Sequence, residues 1–192
     1  PETIYVVRRG ASNDLETANY PIATPGGKSV VCPTENLVSE YEYVGVADPA
    51  NPYSNRDPRL AASIVTNGSS WNGRVNAQAA GETYDMASAN ASPTGYYLKK
   101  FLTDGLNLIQ GQTAQHNWVA FRYAEILLNY AEAVNEVFGP VAVPSGYAMT
   151  AKQALQMVRD RASVALPSVS ASDIESFRKA VKHERQIELA FE

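Results

Sequence analysis

The residues best placed to do chemistry are two carboxylates four positions apart, Glu184 and Glu188, beside the apolar stripe of a C-terminal helix. A pair of carboxylates can act as acid and base in glycoside hydrolysis, provided they flank the scissile bond. Carboxylates one helical turn apart point the same way, so the favoured reading is structural. In it, Glu184 pairs with a buried arginine from a neighbouring helix, with Arg122, Arg159 and Arg161 as candidates. His183-Glu184 opens like a zinc-protease motif, but Ile187 stands where the second histidine belongs. His116 reads as a surface or capping residue and Cys32, beside Pro33, as an inert thiol. Gly26-Gly27-Lys28 lacks the spacing of a phosphate loop and reads as a turn. With two histidines and one cysteine, neither a disulfide framework nor a Cys- or His-rich metal site is expected. The expectation is no catalysis, no cofactor and no metal.

The aromatics point elsewhere. Eleven of eighteen are tyrosine. Tyr41, Tyr43, Tyr53, Trp71, Tyr84, Tyr96 and Tyr97 lie among Asn, Ser, Gln and Asp. A loop aromatic offers a flat apolar face and, for Tyr and Trp, a hydrogen-bonding edge. Pyranose rings have apolar C–H faces and polar rims, so the combination suits sugars. Covering about 80 Å² of ring is worth roughly 2 kcal/mol at ~25 cal/mol per Å². The competing reading is that these rings fill core beneath the loops. Trp71, between Ser69-Ser70 and Asn72-Gly73, is the best candidate for exposure. Tyr43, Tyr53 and Tyr84 complete the candidate ligand-binding set.

The elements that must hold these residues divide the chain by composition. Residues 1–117 contain ten of twelve glycines, eight of eleven prolines and eleven of thirteen asparagines, which favour turns. This stretch is expected to be an irregular, loop-rich candidate ligand-binding region. Within it, Thr3–Val7 and Ala61–Val65 read as short strands, and Thr34–Tyr43 as a short helix capped by Thr34. Tyr96–Leu102 is ambiguous between strand and helix. Residues 118–192 read as a helical scaffold. Val119, Tyr123, Ile126, Leu127, Tyr130, Val134 and Val137 follow a 3.6-residue period, ended by Gly139-Pro140. Thr150–Gln153 is a capping-box pattern opening a second helix, with Leu155, Val158 and Ala162 inward. Ser172–Glu175 opens a third in the same way, with Ile174, Phe177, Val181, Ile187 and Phe191 inward.

The charge balance is 16 basic against 20 acidic side chains, and no apolar run is long enough to span a bilayer as a helix. A nucleic-acid partner, which wants clustered Lys and Arg, is not expected. The chain starts at Pro1 and stops at Glu192 within a helical pattern, so it reads as part of a longer protein.

Several stretches together resemble one family. They are Pro33-Thr-Glu-Asn-Leu-Val-Ser-Glu-Tyr41, Asn55-Arg-Asp-Pro-Arg-Leu60, Asn67-Gly-Ser-Ser-Trp71 and Tyr96-Tyr-Leu-Lys-Lys-Phe101. They continue with Phe121–Ala133, Val158–Ala162 and Glu184-Arg-Gln-Ile-Glu-Leu-Ala-Phe-Glu192. In order and spacing the chain resembles the C-terminal half of SusD/RagB-type outer-membrane lipoproteins of Bacteroidetes.

The resemblance implies a mainly α fold, with tetratricopeptide-like helix pairs, a large irregular region and short strands. It implies a non-enzymatic cell-surface protein that captures an oligosaccharide or polysaccharide. The ligand then passes to a SusC-like TonB-dependent transporter. Membrane association would run only through a lipid anchor outside this stretch. Peptide-binding RagB-like members and a helical protein-interaction scaffold are the alternatives. The motifs also suggest a structural ion-pair network of Arg122, Glu125, Glu184 and Arg185, while Arg56 and Arg59 would bond carbonyls of the irregular chain.

Overall fold

The computed structural model describes residues 2–76 and 91–192. Tyr84 lies outside the described residues. Among them the element order is β1 (Thr3–Ser12), α1 (Asp14–Asn19), α2 (Glu35–Glu40), α3 (Pro58–Ser63), β2 (Ile64–Val65), β3 (Ser70–Trp71), β4 (Arg74–Val75), β5 (Tyr97–Leu98), β6 (Ala114–Arg122), α4 (Tyr123–Phe138), α5 (Ala151–Arg159) and α6 (Ile174–Glu188). Three two-stranded sheets pair β1 with β6, β2 with β5 and β3 with β4. The fold is thus helices plus short strands, and the two long strands β1 and β6 exceed what periodicity suggests.

The chain forms two compact units. One holds residues 1–7, 57–59 and 119–192, and the other holds 8–56 and 60–118. Composition places a division near residue 117. It does not reveal that 1–7 and 57–59 belong with the helices.

In the helical unit, α4 packs on both α5 and α6. Ala124, Leu127, Leu128, Ala131 and Val134 of α4 meet Ala151, Ala154, Leu155 and Val158 of α5 and Phe177 and Val181 of α6. The alanines let the backbones approach, and the larger side chains fill the space between. The first helix starts later than its apolar period suggests. Trp118–Arg122 is strand, and Arg122 is still extended (φ −139°, ψ 159°) as N-cap of α4. Val119 and Phe121 are good strand formers, and pairing with β1 decides their state. Tyr123, Ile126 and Val137 face solvent, as do Ile174 and Ala162.

Local chemistry sets the helix ends. Gly139 at φ 79° closes α4 ahead of Pro140. In α5 the capping box is complete: the Thr150 hydroxyl accepts from Gln153 N at 3.0 Å, and Thr150 N donates to Gln153 Oε1 at 2.8 Å. Thr150→Ala removes one acceptor for an orphan N–H, so a loss of about 1 kcal/mol is expected in urea denaturation. For α6 the cap is Asp173, one residue beyond the serine the pattern suggests. Its carboxylate accepts from Ser176 N at 2.9 Å, and the bonds from Ser176 hold its pKa down. A negative carboxylate also complements the helix dipole better than a hydroxyl.

The loop-rich unit has its own small core of Tyr20, Val65, Trp71 and Tyr97, flanked by Leu102, Leu106 and Leu108. Ala61–Ser63, expected as strand, is the end of α3, and the strand is reduced to Ile64–Val65. Pro58 stands at the first position of α3, where its fixed φ suits a helix start and its missing N–H costs no bond. Val65 pairs with Tyr97 and Ile64 with Leu98, which places Tyr96–Leu102 partly in strand.

Candidate ligand-binding site

The polar and aromatic side chains of the loop-rich unit gather around α2. Thr34 caps its start, its hydroxyl accepting from Leu37 N. Arg56 closes its other end: Nη2 donates to Val38 O at 2.5 Å and Nε to Tyr41 O at 2.8 Å. The same guanidinium lies 4.5 Å from the centroid of the Tyr43 ring, and Nη1 donates to Pro52 O at 3.3 Å. Tyr43 donates its own hydroxyl to Pro52 O at 3.2 Å. The ring is therefore fixed on one side by a cation and at its tip by a carbonyl, yet it is 42% exposed.

The loop between Tyr43 and Arg56 is tied across itself. Tyr43 and Arg56 form an isolated antiparallel bridge, Val44 N donates to Asn55 O at 2.6 Å, and Asn55 Nδ2 donates to Val46 O at 3.1 Å. Asn55 sits at φ 54°, a left-handed conformation that asparagine tolerates better than most residues.

At the other end of α2, exposed Glu35 accepts a hydrogen bond from the hydroxyl of buried Tyr96. The Tyr96 hydroxyl is 3.2 Å from that of half-buried Tyr53, and the two rings meet edge to face at 6.2 Å. Burial, reinforced by Glu35, pushes the Tyr96 phenol well above its ordinary pKa, so it stays a protonated donor. Tyr53 follows Pro52 directly, and so the Tyr43 platform and the Tyr53–Tyr96–Glu35 corner share one backbone segment.

The other proposed contacts lie elsewhere. Trp71 is 4% exposed and packs edge to face on Tyr20 at 5.2 Å. Asn72 (φ 51°) and Gly73 (φ 70°) make the turn between β3 and β4, so strand alternation turns Ser70 outward and Trp71 inward. The polar neighbours that make Trp71 look exposed are turn residues. Spacing does not reveal Glu35 and Arg56 beside these rings, because their partners lie up to 61 positions away. His116 Nε2 lies 2.9 Å from the carboxylate of fully buried Glu16 rather than capping a helix at the surface, and the Cys32 thiol donates to Ser29 O.

The charged residues of the helical unit form a dense network, though not the suggested one. Glu184 accepts from Arg59 Nη1 at 2.5 Å and from Arg159 Nη1 at 2.7 Å. Glu188 accepts from Arg122 at 2.5 Å, Arg161 at 2.5 Å and Arg59 at 2.9 Å. Arg122 also holds Glu2 and Glu192, and Arg59 is held from below by Asp57. Arg185 faces outward to Asn129 and, at 3.5 Å, to Glu125. The suggested quartet thus falls into two sets: Arg122 and Glu184 each join the buried network through other partners, and Arg185 and Glu125 form a separate, half-buried pair. Arg59 bonds carboxylates rather than loop carbonyls.

This arrangement is the reverse of an acid–base pair. Burial acts to raise the Glu188 pKa, but the bond from Arg122 and the charges of Arg161 and Arg122 outweigh it and hold the group low. A general acid in glycoside cleavage needs a raised pKa. The linkage has a fixed sign. A carboxylate depressed in the folded state adds stability above its unfolded pKa of about 4.3, which is lost as pH falls through the lower folded value. Urea midpoints should therefore fall steeply below about pH 4, and Glu188→Gln should flatten that fall.

The sequence profile of the SusD family matches residues 3–192. SusD-like protein P2 of Formosa agariphila is 30% identical over 143 residues, covering 71% of this chain and 26% of that protein. A SusD-like carbohydrate binding protein of Bacteroides fragilis superposes with a TM-score of 0.79 at 27% identity, over 98% of this chain and 39% of its own. A second SusD-like protein of the same organism gives 0.78 at 26%, over 99% and 41%. The chain thus spans about a quarter of the curated relative and about two fifths of these solved structures.

Proposed function

The chain belongs to the SusD family, and we propose that it is the glycan-contacting part of a non-enzymatic surface protein. In this reading it captures an oligosaccharide or polysaccharide and delivers it to a SusC-like TonB-dependent transporter. A lipid anchor outside this sequence would hold the protein at the outer membrane. Among the described residues no helix is long and apolar enough to cross a membrane.

The observation that carries the reading is the immobilised, half-exposed Tyr43 ring in a fold shared with a carbohydrate-binding relative. An aromatic already fixed in place loses little rotamer freedom when a sugar covers it. The helical unit acts as the frame, and its paired carboxylates are occupied by arginines rather than available for proton transfer. Calorimetric titration of the intact protein against a panel of glycans tests the proposal. Silence toward every glycan with binding to peptides would favour the RagB-like alternative.

A second reading, a helical protein-interaction surface, is favoured by one observation. Tyr123, Ile126, Val137 and Phe138 of α4 are all more than two fifths exposed, and Tyr123 with Leu127 and Met157 lines a cleft of about 280 Å³ at the start of the helix. Ile126→Glu would then abolish partner capture and leave glycan titrations unchanged.

A further inference from the structure

Residues 43–52 are exposed throughout, Val44 and Val46 included. A segment that covers no side chain gains little from apolar burial, so its shape rests on polar bonds. Arg56 supplies bonds that connect it to covered structure. Two of its nitrogens point inward: Nη2 donates to Val38 O and Nε to Tyr41 O, carbonyls of two buried residues at the end of α2. The third points outward: Nη1 donates to Pro52 O at 3.3 Å and to the Tyr43 hydroxyl at 3.4 Å. One planar guanidinium thus joins the helix end to the near side of the loop at Tyr43 and to its far side at Pro52. The Tyr43 ring lies against the face of the same group. The contact between the Tyr53 and Tyr96 hydroxyls ties the chain after Pro52, on the far side of the loop.

Four acceptors and a ring face served at once require the shape of a guanidinium. Lysine carries the same charge on a single nitrogen with three donors and no flat face. It can bond the helix carbonyls or Pro52 O, but it cannot bridge both while backing the ring. An exposed ring without that backing samples other rotamers, and a ligand must then bear the cost of ordering it.

We propose that Arg56 is the positioning residue of the candidate site. It touches no ligand; it holds the loop over residues 44–55 in place and sets ligand affinity through the Tyr43 ring. The assignment rests on the glycan-binding reading above and adds to it the side chain that prepares the site.

Two measurements on the intact protein test it. Hydrogen exchange reads the loop without a ligand. In Arg56→Lys the Val44 amide, which donates to Asn55 O at 2.6 Å, exchanges about tenfold faster, while peptides covering β2 and β5 keep their protection. Calorimetry with hexaoses of glucose, mannose, xylose and galacturonic acid reads the site. Arg56→Lys weakens the hexaose that binds by about five- to tenfold, the fold-change for one side chain that must be ordered on binding. Tyr43→Ala weakens it by about tenfold or more. The double variant Tyr43→Ala/Arg56→Lys matches Tyr43→Ala within about twofold, because a residue that acts through the ring has no effect once the ring is gone. Additive losses overturn the proposal, since Arg56 would then meet the ligand itself. Unchanged exchange at Val44 in Arg56→Lys, or affinity kept within about twofold, overturns it too. So does protection lost equally from β2 and β5, because Arg56 would then hold the whole unit rather than the loop. If the unaltered protein binds none of the four hexaoses, the glycan reading fails and the affinity claim falls with it, while the exchange contrast still decides whether Arg56 holds the loop.

Discussion

Glu184→Gln lowers the unfolding free energy by about 3–5 kcal/mol, the cost of breaking a buried ion pair from one side. Glu184 is 1% exposed and is shared by Arg59 and Arg159, themselves 8% and 2% exposed. Glutamine keeps one acceptor, so one guanidinium would face an amide N–H₂ group in place of an oxygen anion. That cation is buried, so losing the anion leaves its charge poorly compensated. Burial alone would lower the Arg59 pKa, but its bonds to Asp57 and Glu184 override this and keep it charged, so the conflict is not relieved by proton loss. Arg185→Ala, which removes the half-buried, 3.5 Å-distant partner of Glu125, provides the control and changes stability by about 0–1 kcal/mol. Urea denaturation at pH 7 measures both. A Glu184→Gln loss as small as that of Arg185→Ala would mean that water reaches the pair.

This network shows where sequence reasoning reaches and where it stops. Glu184 was legible as a structural carboxylate, because charge on the apolar side of a helix needs a partner. Arg159 was among the three arginines named for it. Arg59 was not, since it lies 125 positions away in a stretch that composition assigns to loops. The α5 capping box was legible because both members are three residues apart. The start of α4 was not, because Val119 and Tyr123 keep helical spacing across a strand-to-helix junction, and only pairing with β1 separates the two. At the candidate site, tyrosine-rich polar loops pointed to ring side chains, and the structure leaves Tyr43 partly exposed and covers Trp71. Which rings are covered depends on contacts that spacing does not encode: Tyr43 stands on Arg56, and Trp71 sits beneath its own turn.

Trp71→Ala is the clearest way to separate a structural ring from a binding ring, and its expected cost is about 3–5 kcal/mol. The indole is one of three buried aromatic rings that, with Val65, make the small core of the loop-rich unit, and it meets Tyr20 edge to face. Its removal leaves a void between Tyr20, Val65 and Tyr97, whose positions are fixed by other bonds. The Tyr20 hydroxyl, for instance, donates to Thr103 O and accepts from Leu106 N at 3.2 Å. A ring pinned in this way cannot collapse into the space, so the loss falls toward the upper part of the range. Trp71→Phe keeps most of the volume and loses less. It also leaves Trp118, which is 57% exposed, as the only indole, so tryptophan emission should shift to the red while the fold persists. A surface platform would behave in the opposite way: Trp71→Ala would leave the melting transition in place and abolish glycan binding. Burial of the ring predicts the reverse for stability, with melting lowered by Trp71→Ala and lowered less by Trp71→Phe.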